Sequence, residues 1–152
     1  MLFATHLVAA WLLGRRWRAS PRWLVAGAAL PDVVDKPLAA AGVVDLYHTV
    51  GHSGVTLALA VPVALVGRRG VALWVGWLSH LLLDALHLVV NGRADDVPFL
   101  GWPLTEPATP LGLPPVEFVG YYLWTPSFFL ETVVWLALGV SLVAARPDGE
   151  RG

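Results

Sequence analysis

Val71-Ala-Leu-Trp-Val-Gly-Trp-Leu-Ser-His80-Leu-Leu-Leu-Asp84-Ala-Leu-His87-Leu-Val-Val90 is the stretch whose reading decides the fold. A helix rises about 1.5 Å per residue, so this run is about 30 Å long, the depth of a bilayer's hydrocarbon core. Spacings of four and three put His80, Asp84 and His87 on one helical face. An ionised Asp near the bilayer middle costs at least about 2.5–3.5 kcal/mol, and groups at that depth are normally paired and mark a functional site. A divalent metal offsets that cost, because neutral imidazole and carboxylate are good ligands for it. The alternative is a buried Asp–His hydrogen bond that only orients helices.

Four further apolar segments surround this one: Leu2 to Leu13, Arg22 to Leu30 ending at Pro31, Ser53 to Val66, and Ser127 to Ala145. The first three are short for spanning and read as core or re-entrant pieces. Between the fourth and fifth segments, Asn91 to Pro126 holds most of the chain's twelve prolines, so it is not a span. Its aromatics, including Trp102, Tyr121 and Trp124, suit a membrane interface. The expectation is an all-α, multi-pass membrane bundle of about five segments. Residues 1–145 form one membrane-embedded domain, 91–126 an extracytoplasmic loop, and 146–152 a short cytoplasmic tail.

Composition agrees. Hydrophobic residues make up 57% and charged residues 14%, against about 25% charged in a soluble domain. A soluble helical bundle is the competing reading. The chain has no cysteine, so disulfides and thiolate zinc sites are excluded and any metal is held by His and carboxylates. A net charge of −1 speaks against a broad nucleic-acid surface. No basic stretch precedes Leu2, so the first segment reads as an uncleaved helix.

Arginine placement sets an orientation. With the N-terminus outside and strict alternation, Arg15, Arg16, Arg18, Arg22, Arg68, Arg69, Arg146 and Arg151 fall on the cytoplasmic side, and only Lys36 and Arg93 outside. The same topology collects His6, Asp32, Asp35, His48, His52, Asp84, His87 and Glu131 towards the outer end, with His80 deeper. Random placement would scatter them.

His48 and His52 are four apart and share a face if helical; otherwise Ser53 caps the third segment and His52 precedes its start. Asp32 and Asp35 lie between Pro31 and Pro37, where Asp32 is a candidate helix cap and Asp35 a candidate partner of Lys36. Glu131 is an intramembrane carboxylate that needs a partner, and the metal site is the obvious one. Together these make nine candidate ligands, enough for one to three ions with carboxylates left over.

Thr5-His6-Leu7, Leu30-Pro31-Asp32-Val-Val-Asp35-Lys36-Pro37, His48 to Ser53, and Ser79-His80-Leu-Leu-Leu-Asp84 occur in the order seen in membrane-bound metal-dependent hydrolases of the YdjM-like family, which the chain resembles over residues 1–90. That family is similar to zinc-dependent phospholipases C and nucleases of the P1 type. Many members carry His-Arg-Gly-x-Thr-His-Ser; here His48 and His52 are four apart and the Arg is absent. The resemblance implies a hydrolase with several zinc ions.

The expected function is therefore a membrane-embedded, metal-dependent hydrolase, with zinc or another divalent ion, acting outside the cytoplasm on a phosphoester of a lipid or lipid-linked substrate. The metal ligands expected are His6, Asp32, His48, His52, His80, Asp84 and His87. Asp32, Asp35 and Glu131 are the expected catalytic carboxylates. A metal-ion transporter and a non-catalytic metal-binding membrane protein are the alternatives.

Overall fold

Gly67, with a positive φ of 116°, turns the chain into its longest helix. The computed structural model describes residues 2–17, 20–44, 48–106 and 113–145. All regular structure among them is helical: α1 (Phe3–Trp17), α2 (Pro21–Ala40), α3 (Gly54–Leu59), α4 (Val61–Leu65), α5 (Arg68–Val90), a 3-10 segment (Ala94–Gly101), α6 (Pro115–Tyr122) and α7 (Pro126–Ala144). Arg18, Arg146 and Arg151, which enter the charge asymmetry, and the tail 146–152 lie outside the described residues.

The second apolar segment does not end at Pro31. α2 runs through both Pro31 and Pro37 to Ala40. A proline removes one N–H and kinks a helix, but packing along the length of α5 outweighs that penalty. Asp32 and Asp35 therefore sit on the body of a helix rather than in a loop. The third apolar segment divides into α3 and α4 at Ala60, with Pro62 in the first turn of α4. Ser53 caps α3 as its sequence suggests, its hydroxyl accepting from the Val55 and Thr56 amides.

α2 and α5 form the main helix pair, with α1 against α2 and α7 against α1. The pair is close because two glycines face backbone. A Cβ on Gly27 would lie 1.9 Å from the Leu73 carbonyl oxygen, and one on Gly76 would lie 2.0 Å from that of Leu24. The apolar core beside this crossing is small: Ala10, Leu24, Ala28 and Ala72. A second buried cluster joins Leu88 to Phe99 of the 3-10 segment.

α5 and α7 are long and apolar enough to cross a membrane by length and composition. α7 buries little of itself in the protein and exposes Phe129, Val133, Leu136, Val140 and Val143. Of the described arginines, Arg15, Arg16, Arg22, Arg68 and Arg69 lie at the end of α1 and the starts of α2 and α5, while Arg93 follows the far end of α5. The His/Asp residues lie at the opposite ends of these helices. From Arg68 to Asp84 the helix rises about 24 Å.

Candidate metal centre

The site begins with three imidazoles, each fixed through Nδ1 to an oxygen. His6 Nδ1 is 3.0 Å from the Leu2 carbonyl oxygen, one turn back on its own chain. His80 Nδ1 is 2.7 Å from the Ala28 carbonyl oxygen, a contact allowed by the glycine-lined crossing of α2 and α5. His52 Nδ1 is 2.8 Å from Asp35 Oδ2. A carbonyl or an ionised carboxylate oxygen can only accept, so Nδ1 carries the proton in all three rings. In the neutral ring, Nε2 is then a lone pair.

Those three Nε2 atoms converge. His80 Nε2 and His52 Nε2 stand 3.2 Å apart. Asp84 divides its carboxylate among them, with Oδ1 3.0 Å from His6 Nε2 and Oδ2 3.1 Å from His80 Nε2 and 3.6 Å from His52 Nε2. Asp32 Oδ1 lies 3.8 Å from His52 Nε2. The rings of His6 and His80 stack, with centroids 3.9 Å apart. His6, His52 and His80 are each only 1% exposed, so water does not dissipate the crowding of acceptors. His6 Nε2 lies against Asp84 Oδ1 without a well-formed hydrogen bond.

Buried lone pairs turned on one another are unfavourable unless a proton or a metal cation lies between them. The donor set fits a divalent metal: the ligand atoms of His6, His80 and Asp84 lie within 4.8 Å of one another, as do those of Asp32, His52 and His80, and of His48, His52 and Asp84. Anchoring of the remote imidazole nitrogen by carbonyl or carboxylate is the usual support of a metal-bound histidine. These groups could hold a metal ion.

Asp35 does not join the cluster directly. It is fully buried and receives the amides of Thr49, Gly51 and His52 at 2.8, 2.7 and 3.2 Å besides His52 Nδ1. It organises the turn that carries His48 and His52, which is non-helical, so the shared helical face open to these two residues is not realised. Gly51 lets that turn rest on α2, since a Cβ there would come within 2.6 Å of the Pro31 carbonyl oxygen, and Trp77 Nε1 donates to the Gly51 carbonyl at 2.7 Å. His48 stands edge-on to His52 and against Phe99. Burial, reinforced by His52, lowers the His48 imidazole to about 4, so it is neutral and able to ligate at pH 7.

Two expected ligands lie elsewhere. His87 shares a face with Asp84 but meets Asn91 Nδ2 at 3.4 Å and stacks on Tyr122. Glu131 accepts from the Leu2 amide at 3.0 Å, the Thr5 hydroxyl at 2.5 Å and the Tyr122 hydroxyl. Its role in the geometry is to tie α7 and α6 to the start of α1, next to His6. Lys36 pairs with Asp32 at 3.1 Å rather than with its neighbour Asp35, because i,i+4 residues share a helical face and adjacent ones do not. Sequence reading missed the carbonyls of Leu2 and Ala28, which have no side-chain signature. Gly27 and Gly76, small residues at helical depth, were the available signal for the second.

No family model, no curated protein and no solved structure matches the chain.

Proposed function

We propose that this chain is a membrane-embedded, metal-dependent hydrolase of phosphoesters, of the kind found in the YdjM-like family it resembles. One observation carries the reading: three buried histidines, each with Nδ1 held by an oxygen, aim Nε2 at the carboxylates of Asp84 and Asp32. His6, His48, His52, His80, Asp32 and Asp84 would hold the metal. Asp84 would offer both carboxylate oxygens to the metal, since they face different histidines. Zinc suits this nitrogen and oxygen donor set, and one to three ions is the range the ligands allow. When bound, such a metal supplies Lewis-acid polarisation of a phosphoryl oxygen and a water acidic enough to ionise near neutral pH.

The protein's own groups do the rest. Asp35 holds the His52 ring and its turn in place. Asp32 sits at the edge of the cluster with its side chain 13% exposed, the position from which a carboxylate takes a proton from an attacking water. The bilayer reading is supported by the exposed apolar face of α7 and by the separation of all described arginines but Arg93 from the His/Asp end. With the arginine-rich end cytoplasmic, the site would open towards the extracytoplasmic side, where a lipid or lipid-linked phosphoester would be the substrate.

The test is metal analysis of detergent-purified protein before and after zinc loading, with phosphodiesterase assay. Bound zinc at one or more per chain is expected, lost in His80→Ala and Asp84→Asn along with activity while the helical circular dichroism is retained. Failure to retain any divalent metal would sink the proposal. Stable metal binding with no hydrolysis of any phosphoester would leave a structural centre.

A further inference from the structure

We propose that Lys36 is the substrate-anion receptor of this centre, gripping the phosphoryl oxygens of a phosphodiester beside Asp32. The inference rests on the metal-centre reading and deepens it.

An anionic substrate approaching this site meets Asp32, Asp35 and Asp84, all within the cluster or directly behind it. Bound metal would offset part of their repulsion, and a cation beside Asp32 adds to that offset. Lys36 is the only lysine in the chain, and its ammonium is 3.1 Å from Asp32 Oδ2, while Oδ1 of the same carboxylate faces His52 Nε2 at 3.8 Å. One carboxylate thus links the histidine cluster to the lysine. Lys36 is also placed over the ring of Phe3, 5.0 Å from its centroid, and Phe3 lies one turn before His6 on α1. The ammonium is positioned from two sides yet its side chain is 52% exposed.

Ordering a half-exposed lysine costs rotamer entropy that a surface ion pair barely repays, so holding it beside a buried centre fits a ligand-binding duty. Of its three N–H donors, Asp32 takes one and the Phe3 face another. With the side chain half exposed, a third N–H is left to donate a charge-assisted bond to an acceptor such as a phosphoryl oxygen. Arg93, the other cation on the outer side by sequence, is engaged by Asp96 at 2.5 Å.

The experiment uses the full chain in detergent micelles, loaded with zinc and freed of excess metal. Inorganic phosphate is titrated calorimetrically into the native protein and into Lys36→Met, Lys36→Gln and Lys36→Arg, with zinc content measured on each sample. The expected result is equal zinc content throughout, phosphate affinity weakened about tenfold or more in Lys36→Met and Lys36→Gln, and affinity largely kept in Lys36→Arg. Equal phosphate affinity in all four overturns the role. So does loss of zinc in Lys36→Met, which would make Lys36 a support of Asp32. A zinc-loaded native protein that binds no phosphate overturns the Lys36 role and leaves the metal centre standing. A native protein that takes up no zinc removes both.

Discussion

His52 shows how single residues build this centre. One ring nitrogen is held by Asp35 and the other is turned to Asp84, Asp32 and His80, so the ring's usefulness depends on a carboxylate that itself touches no metal position. Asp35→Asn keeps the shape but weakens the acceptor for both the ring and the turn amides. We expect zinc affinity to fall about 10- to 100-fold, the usual effect of altering a ligand's support, as measured by competition with a chelating dye. Unchanged affinity would mean that Asp35 only shapes the turn. By sequence, Asp32 is an expected metal ligand and both Asp32 and Asp35 are expected catalytic carboxylates. Which one faces the cluster follows from where the 48–52 turn lands, a contact across 14 to 17 residues.

At the scale of elements, the centre depends on the crossing of α2 and α5. His80 reaches the Ala28 carbonyl because Gly27 and Gly76 let the backbones approach. Gly76→Ala puts a methyl within 2.0 Å of the Leu24 carbonyl oxygen, and the helices must separate. Overpacking of this kind costs about 1–3 kcal/mol, so a lowered melting temperature is expected, with weakened zinc binding as the diagnostic consequence one turn away at His80. A variant that melts early but binds zinc normally would uncouple the crossing from the site. The helical period made the face of α5 legible in advance: Asp84 and His80 share it and both enter the cluster. It did not reveal that His87, on the same face, would be drawn towards Asn91 and Tyr122, because Tyr122 comes from α6, distant in the sequence.

The whole molecule carries its asymmetry in charge. Most of the described arginines gather at one end, and the His/Asp cluster, with Lys36 and Arg93, at the other. If the apolar surface of α7 faces lipid, the two ends face opposite compartments. The chain has no native cysteine, so Leu104→Cys and Val66→Cys, both at strongly exposed positions, report on this directly. In intact cells a membrane-impermeant maleimide should label Leu104→Cys and spare Val66→Cys until the cells are opened. The reverse pattern would invert the orientation, and full labelling of both in the soluble fraction would remove the protein from the membrane.

Periodicity and composition determined, from the letters alone, that the chain is helical and that α5 and α7 are long and apolar. They also supplied most of the candidate ligands, because ionisable groups are scarce in a chain this apolar. Only the tertiary structure decided which of them meet. His6, His52, His80, Asp32 and Asp84 converge because backbone carbonyls, glycine contacts and a buried carboxylate orient the rings, and none of those is written in a side-chain pattern. Glu131 and Asp35 carry the same functional group as Asp84. The donors packed around each of them, contributed by distant parts of the chain, turn one into a tether for α1, one into a brace for the histidine turn, and one into the centre of the cluster.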